Sequence, residues 1–265
     1  MKQVNLKTKQ EIKIMREGGL ILKEIKDKLV AKVAVGVNAM EIENLASGLI
    51  KKTPGGQASF KMVPGYKWVT CININEGLVH GIPKETTVFK KGDLVSIDVG
   101  LFYKGFHTDT STTILVGSDK QKQKFLNIGK TALKVAINQA KVGNKIFDIS
   151  KTIEEVLVRA GTSPIRALTG HGVGRNLHEE PYIPCFTSGS GTNSPKIEEG
   201  MALAIEIMYA KGNPEVIVAD DGWTIATQDG KISALFEETV AIDSHGPFVL
   251  TELSSVDTAL SAVTG

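Results

Sequence analysis

Two segments of this chain share a pattern in which a glycine leads into an apolar run that ends in a carboxylate. Residues 91–98 read KGDLVSID and residues 199–206 read EGMALAIE. A second pair of segments, 35–42 and 142–149, repeats Val-Gly followed by an acid and Ile at a helix start, at nearly the same offset along the chain. Two repeats at one offset predict a duplicated chain whose halves are related by an approximate two-fold axis. The alternative is chance similarity among glycine-rich turns.

The remaining pattern mixes helices with short strands, which favours an α+β fold. Predicted helices cover residues 8–33, 38–53, 118–142 and 148–161, and the first two open with a capping-box pattern. Predicted strands, which are short and alternating or β-branched, cover residues 69–74, 94–99, 107–115, 201–208, 215–218 and 232–242. Residues 187–195 are expected to form a surface loop, and residues 254–265 a loosely held tail.

Composition excludes several classes of protein. The net charge is +2, with 31 Lys and Arg against 29 Asp and Glu, so no dedicated nucleic-acid surface is expected. The two cysteines cannot build a disulfide framework, which favours a reducing, cytoplasmic location. No apolar run approaches the roughly 20 residues of a membrane-spanning helix, and the first residues do not resemble a signal peptide.

Three acids, Asp98, Glu206 and Glu237, lie within runs in which one strand face carries large apolar residues and the other carries small ones. Alternation puts each carboxylate on the small-residue face, which indicates a cavity. A hairpin would return Asp109 beside Asp98. Ionised carboxylates in such surroundings are costly and repel one another, so the pattern predicts one or two multivalent cations. The alternative is that each acid pairs with Lys or Arg at a sheet edge. Glu238, which alternation puts on the apolar face, is expected to be a rim or ion-paired residue and not a ligand.

Three of the five histidines, His80, His171 and His178, lie in short segments that also contain Gly or Pro. His171 lies in Gly-His-Gly, where the flanking glycines allow a close approach of backbone. A histidine there, near the carboxylates, is predicted to be a ligand or a proton-transfer group. An oxygen-rich site with one imidazole suits Mn, Fe(II), Co or Zn. The zincin pattern and a phosphate-binding Walker loop are absent from the sequence.

The ordered set Asp98, Asp109, His171, Glu206 and Glu237 resembles the five ligands of the dinuclear metal site of type I methionine aminopeptidases. Other segments of the chain, which together with the ligands span about residues 8–243, are also similar to that family. They are residues 11–19, 71–76, 79–83, 105–111, 170–175, 178–181 and 236–239. The stretch from His171 to Glu206 is too short for the helical insertion of the type II enzymes.

The resemblance implies the pita-bread fold, a curved antiparallel sheet with outer helices and pseudo-two-fold halves. It implies one catalytic domain over residues 1–250, with halves of about 1–117 and 118–250, followed by a tail at 251–265. It also implies hydrolysis of the first peptide bond of nascent proteins by two divalent metal ions, which removes the initiator methionine. In this interpretation Glu206 is the general base, His178 binds the substrate carbonyl and its oxyanion, and His80 binds the scissile nitrogen.

The resemblance also assigns a pocket and partners. The methionine side chain would contact Tyr66, Cys71, Leu177 and Trp223, where Leu177 departs from the Phe of many relatives. Asn75 and Ser233 resemble a site for a monovalent cation, Na or K. The expected partners are nascent N-termini with Met and a small second residue, and the ribosome; a membrane or a specific nucleic acid is not expected, and a monomer is favoured. Two alternatives stay open: a proline-specific aminopeptidase of the same fold, and a non-catalytic pita-bread binding protein.

Overall fold

The computed structural model describes residues 4–252. Its first two helices begin where the sequence predicts, because Thr8 and Glu11, and likewise Asn38 and Glu41, exchange reciprocal hydrogen bonds between side chain and backbone. The α-helices are α1 (Lys9–Lys32), α2 (Ala39–Lys51), α3 (Lys120–Ile137) and α4 (Ile146–Arg159), and a single 3₁₀ turn covers Phe60–Met62.

Two helix boundaries differ from those predicted from the sequence, one by about five residues and the other by about two. The third helix was predicted to reach residue 142 but ends at Ile137, and Asn144 then folds back to donate to the Gln139 carbonyl at 3.0 Å. The sequence predicts a start near Asp148 for the fourth helix, which starts at Ile146. The Asp148 carboxylate accepts from the Lys145 backbone N–H at 2.8 Å, so Asp148 is the third helical residue and not the first.

All six predicted strands form, with ends that differ by a few residues, and further short strands accompany them. The strands are β1 (Gly56–Ala58), β2 (Thr70–Ile74), β3 (Gly77–Val79), β4 (Leu94–Tyr103), β5 (Phe106–Leu115), β6 (Ser163–Pro164), β7 (Thr169–Gly172), β8 (Glu179–Pro184), β9 (Ala202–Ala210), β10 (Val216–Val218), β11 (Ile225–Thr227), β12 (Ser233–Asp243) and β13 (Gly246–Val249). Residues 187–195 form the expected loop without regular structure. The predicted tail, from residue 254, lies outside the described residues.

Ten strands form one antiparallel sheet in the order β1-β4-β5-β12-β9-β7-β8, with β2 on β4, β6 on β9 and β13 on β12. The order is symmetric about the β5–β12 pair. Strand β5 is flanked by β4, which contains the end of the first repeated segment, and β12 is flanked by β9, which contains the end of the second. Helices α1 and α2 cover the β4 side and α3 and α4 cover the β9 side, each with its own cluster of buried apolar residues. This arrangement confirms the α+β class and the two-fold relation of the halves.

The loops before α2 and α4 show the repeat in detail. Gly36 and Gly143 both have a positive φ, 88° and 91°, and donate to the carbonyls of Phe89 and Ile197. Each loop then makes an isolated antiparallel bridge, one at Asn38 and one at Lys145. Because both halves use the same turn and the same bridge, the repeated sequence reports a repeated structure and not a chance likeness.

A second sheet of three strands, β10-β11-β3, lies beside the first. Strand β3 ends at Val79, directly before His80, and β11 begins two residues after Trp223. The pairing of Val79 with Ile225 therefore brings the segments that carry His80 and Trp223 together. This small sheet forms one wall of the site described next.

Candidate metal centre

The register of the large sheet aligns the predicted acids across four strands. Asp98 of β4 is paired with Ser111 of β5, Ser111 with Glu237 of β12, and Glu237 with Glu206 of β9. Directly paired residues of antiparallel strands point to the same face of a sheet. One row of cross-strand neighbours therefore carries three carboxylates toward a single side.

The neighbouring row supplies the other two candidate ligands. Asp109 of β5 is paired with Gly100 of β4, and His171 of β7 is paired with Ala204 of β9. Ligand atoms of Asp109, His171 and Glu237 lie within 4.8 Å of one another, and His171 Nε2 lies 3.4 Å from Glu206 Oε1. The hairpin return of Asp109 toward Asp98, which the sequence predicted, is observed.

Glycines on both sides of His171 allow β7 to enter this crowded position. A Cβ atom on Gly170 would lie 2.6 Å from the Ala204 carbonyl oxygen, and one on Gly172 would lie 2.4 Å from the Glu180 carbonyl oxygen. The side chain of His171 is then oriented by its Nδ1, which donates to the Gly172 carbonyl at 2.9 Å. A carbonyl only accepts, so Nδ1 carries the proton and Nε2 presents its lone pair to the carboxylates.

Burial and mutual repulsion dominate the electrostatics of the cluster. Burial, followed by the charges of Asp109 and Glu206, raises the pKa of Asp98 well above its usual range, and the same two causes raise the pKa of Glu237. Burial and the charge of Asp109 raise the pKa of Glu206. Burial also raises the pKa of Asp109, to about 7, and lowers the pKa of His171 to about 3. The histidine is therefore neutral, as a metal ligand must be.

The donor set fits divalent metal ions. Asp98 Oδ1 and Glu237 Oε1 are buried without a hydrogen-bond partner, which is a costly arrangement for carboxylate oxygens in a protein alone. The sheet-edge alternative fails for these acids, because they lie in the interior of the sheet beside one another. Oxygen-rich donors with one imidazole match the preferences of first-row divalent metals. The residues that would hold the ions are Asp98, Asp109, His171, Glu206 and Glu237.

All five residues line one cavity of about 140 Å³, and the predicted catalytic and pocket residues line it with them. His80, His178, Tyr66, Cys71, Leu177 and Trp223 share its wall. The rings of His171 and His178 meet edge to face with centroids 4.5 Å apart. Tyr66 packs against Trp223 at 5.1 Å between ring centroids, and its hydroxyl donates to the Thr70 carbonyl at 2.8 Å. An apolar pocket therefore adjoins the carboxylate cluster.

The residues of the predicted monovalent-cation site also meet. Ser233 Oγ lies 3.2 Å from the Asn75 carbonyl oxygen and 3.0 Å from that of Gly77. The side chain of Asn75 points elsewhere, to Asp93 and the backbone N–H of Leu94, so this residue offers its backbone oxygen. The role of this group as a cation site stays a prediction.

Glu238 lies on the opposite face of β12, as alternation predicts, and is ion-paired. Its Oε1 accepts from Lys26 Nζ of α1 at 2.6 Å, and Thr110 and Thr251 donate to its other oxygen. Thr110 of β5 also contacts the backbone of β12, since its hydroxyl lies 2.9 Å from the Glu237 carbonyl oxygen. The pair therefore fixes the strand that carries Glu237 without entering the cavity.

Phe60, Val63 and Val79 line the cavity but were not predicted from the sequence. Phe60 and Val63 belong to the 3₁₀ turn and its end. A single short turn has too few residues to show a periodicity, and only the spacing of three between these two apolar residues hints at a shared face. Val79 is the last residue of β3, a strand of three residues directly before His80. A strand this short has no pattern from which the direction of Val79 could be predicted.

No α-helix within residues 4–252 combines the length and the apolar character that a bilayer-spanning segment requires.

The profile of metallopeptidase family M24 matches residues 13–244. A methionine aminopeptidase of Aquifex aeolicus is 38% identical over 256 residues, covering 94% of this chain and 99% of the relative. One from Clostridium perfringens is 40% identical over 247 residues, covering 93% and 98%.

Solved structures agree with the sequence comparison. A methionine aminopeptidase from Thermotoga maritima superposes with a TM-score of 0.91 at 36% identity, covering 95% of this chain and 100% of that one. An Xaa-Pro dipeptidase from Bacillus anthracis shares the fold, with a TM-score of 0.73 at 24% identity, but this chain covers only 62% of its length. The predicted pita-bread fold is thereby confirmed. The chain belongs to metallopeptidase family M24.

Proposed function

We propose that this protein removes the N-terminal methionine from newly made polypeptides by hydrolysing the first peptide bond. The observation that carries the proposal is the single cavity whose wall combines the five ligand residues with an apolar pocket. Relatives that this chain matches over nearly their full length are methionine aminopeptidases, which supports the substrate.

Family membership implies divalent metal ions, and the proposed ligands are Asp98, Asp109, His171, Glu206 and Glu237. We propose two ions, because four clustered carboxylates and one imidazole offer more donor atoms and more charge than one ion requires. Mn, Fe(II), Co and Zn all suit this donor set. When bound, the ions supply a water of lowered pKa and a Lewis acid for the scissile carbonyl.

The proposed roles of the chain's own side chains follow from their positions. Glu206 takes the proton of the attacking water and passes it to the leaving amine. Its carboxylate is suited to this because it is partly accessible to the cavity, whereas Asp109 and Glu237 are buried. His178, across from His171, donates to the carbonyl oxygen as it becomes an oxyanion, and His80 donates to the scissile nitrogen once attack on the carbonyl has freed the lone pair of that nitrogen. Burial lowers the pKa of both histidines, so each is a neutral donor with one N–H.

The proposed pocket for the methionine side chain consists of Tyr66, Cys71, Leu177 and Trp223. Aromatic faces and apolar surface suit a flexible thioether, and sulfur–aromatic contacts add a small attraction. Cys71 is buried beside Asp98, and burial raises the pKa of its thiol well above its usual range, so it contributes as an apolar group.

The same proposal covers partners and setting. Nascent chains with a small second residue are the substrates, and the ribosome is the place where their N-termini emerge. Two free, buried cysteines suit the reducing cytoplasm. The group formed by Ser233 Oγ and the carbonyl oxygens of Asn75 and Gly77 would bind Na or K and support the loop that leads to His80.

A two-substrate assay tests the proposal. The protein, loaded anaerobically with Co, Mn, Fe(II) or Zn in turn, is incubated with Met-Ala-Ser and with Ala-Pro-Ala. Release of methionine from the first peptide, with the second left intact, is expected. Preferential cleavage of Ala-Pro-Ala would favour a proline-specific aminopeptidase, and cleavage of neither peptide with any metal would favour a non-catalytic binding protein.

The ligand assignment has its own test. Glu206→Ala is expected to bind less metal than the unaltered protein, as measured by elemental analysis after gel filtration. Glu17→Gln, in an exposed pair with Lys104 outside the cavity, leaves the cavity donors in place and serves as the control. Unchanged metal content in Glu206→Ala would contradict the assignment.

A further inference from the structure

A buried ion pair joins the N-terminal segment to the loop that carries Leu177 and His178. Lys7 Nζ lies 2.6 Å from Glu179 Oε2, and the two side chains are only 1% and 2% exposed. Lys7 Nζ also donates to the Asn5 carbonyl at 2.9 Å. Glu179 uses its other oxygen, Oε1, to accept from the backbone N–H of Asn176 at 3.0 Å. The Glu179 carboxylate thus holds the backbone of the loop at Asn176, and Lys7 holds the Glu179 carboxylate in place.

The chain around this pair is shaped to admit the lysine. A Cβ on Gly174 would lie 2.2 Å from Lys7 Cε and 2.7 Å from Nζ, so a side chain at this position would displace the ammonium from where it lies. The Lys7 backbone N–H donates to the Gly200 carbonyl at 2.7 Å. Burial lowers the pKa of Lys7 while the Glu179 carboxylate opposes that change. A buried charge costs free energy unless it is paired, so separating Lys7 from Glu179 would be unfavourable. The ion pair therefore keeps the two side chains in one geometry.

The pair sits where its position affects the site. Glu179 is the residue after His178 and pairs across the sheet with Gly172, the residue after His171. At the other end of the loop, the Gly174 carbonyl accepts from the His107 backbone N–H at 2.7 Å. Leu177 and His178 therefore project from a short loop whose two ends are hydrogen-bonded to neighbouring segments. Within the loop, the Glu179 side chain also accepts from the Asn176 backbone.

We propose that Lys7 is a positioning residue, which acts through Glu179 to hold His178 and Leu177 at the substrate. Lys7 itself lies outside the wall of the cavity and touches none of the proposed ligands. The inference rests on the proposed function, because it concerns the approach of His178 to the scissile carbonyl. Displacement of a reacting group by about 1 Å costs roughly a hundredfold in rate.

A double-mutant cycle with His178 provides the test. Lys7→Met keeps the length of the side chain and removes the charge, and we expect it to lower kcat on Met-Ala-Ser by about ten- to a hundredfold with unchanged metal content. In a His178→Ala background the same substitution should have little further effect on kcat, because the imidazole that it positions is gone. An equal loss of kcat in both backgrounds, or no loss in either, would overturn the proposal.

Two further variants separate positioning from stability. Lys7→Met with Glu179→Gln removes both buried charges and so restores thermal stability, yet we expect its kcat to stay low. Lys104→Met removes a lysine of an exposed pair with Glu17, in which the side chains are 53% and 43% exposed, and should leave kcat unchanged. A double variant with normal kcat would show that Lys7 serves stability alone.

Hydrogen exchange keeps this test independent of the reaction. In Lys7→Met the backbone N–H of Asn176 should exchange faster, while those of β9 and β12 should keep their protection. If the unaltered protein cleaves no Met-peptide, the proposed function fails, but the exchange measurement still reports whether Lys7 orders residues 174–179. Unchanged exchange in this loop would refute the positioning role by itself.

Discussion

At the scale of single residues, the structure separates carboxylates by the face of the strand on which they lie. Glu237 and Glu238 are neighbours in sequence, but the first faces the cavity and the second faces Lys26 of α1. The unpaired oxygens belong to the cavity face, and the ion-paired oxygens belong to the helix face. Strand alternation alone therefore distinguishes a candidate ligand from an acid that fastens a helix to the sheet.

The proposed role of His178 gives a prediction at this scale. His178→Ala should lower kcat on Met-Ala-Ser by about 10²–10³, the usual effect of removing one donor to an oxyanion. Metal content should stay unchanged, because His178 contacts His171 by ring packing and is not among the proposed ligands. Both quantities are measured on the same preparation, by peptide assay and elemental analysis.

His245→Ala is the matched control for this prediction, since the side chain of His245 is 92% exposed and lies outside the wall of the cavity. We expect normal kcat for it. A His178→Ala protein that also keeps normal kcat would contradict the assigned role. One that loses its metal would mean that His178 supports the ligands and not the substrate.

The residues of the site differ in how far they could be predicted from the sequence. Asp98, Glu206 and Glu237 could be predicted, because a carboxylate in an apolar alternating strand has few physical explanations. The pocket residues Tyr66 and Trp223 came only from the family resemblance, since an aromatic residue between turns is equally suited to a core. Phe60 and Val63 were not identified, because the turn that directs them into the cavity has no repeating pattern.

At the scale of elements, β7 and β8 are strands that the sequence pattern does not reveal, although β7 carries the proposed ligand His171. Residues 169–172 read TGHG and residues 179–184 read EEPYIP, which lack the β-branched alternation of a typical strand. They form strands because β9 offers a paired edge and because the glycines let the backbones approach. The same glycines that hide β7 in the sequence bring His171 to the cluster.

This close approach predicts the effect of a single methyl group. In Gly172→Ala the new Cβ would lie 2.4 Å from the Glu180 carbonyl oxygen, so β7 and β8 must move apart. We expect a loss of about 1–3 kcal/mol in the free energy of unfolding and weaker metal binding, because His171 moves with its strand. Thermal melts and metal titrations measure the two effects.

Gly48→Ala is the control, because this glycine lies within α2 and a Cβ there meets no atom within 4 Å. Helix propensity predicts that this change is neutral or stabilising by up to about 1 kcal/mol. Equal behaviour of the two variants would show that the approach of β7 to β8 does not depend on glycine.

At the scale of the whole molecule, contacts across the two halves surround the site. Lys26 of α1, in the first half, binds Glu238 of β12, in the second. Lys26→Met leaves the Glu238 carboxylate mostly buried without its cation, so the free energy of unfolding should fall by about 3 kcal/mol. Lys23→Met removes an ion pair with Asp27 on the exposed side of the same helix and should cost at most about 0.5 kcal/mol. Urea unfolding of both variants checks the difference, and equal losses would contradict it.

The proposed ligands are themselves divided between the halves, since Asp98 and Asp109 come from the first while His171, Glu206 and Glu237 come from the second. The β5–β12 pair joins the halves within one sheet, so we predict a single cooperative unfolding transition for the chain, as expected of one domain over residues 1–250. A divalent metal at about 1,000 times its Kd should stabilise the protein by about 4 kcal/mol and shift the whole transition upward. Calorimetry with and without Mn or Co measures this shift. Two transitions, of which only one responds to metal, would contradict the prediction and would mean that the halves are separate domains. The prediction follows from the cross-strand row from Asp98 to Glu206, which draws its carboxylates from both halves.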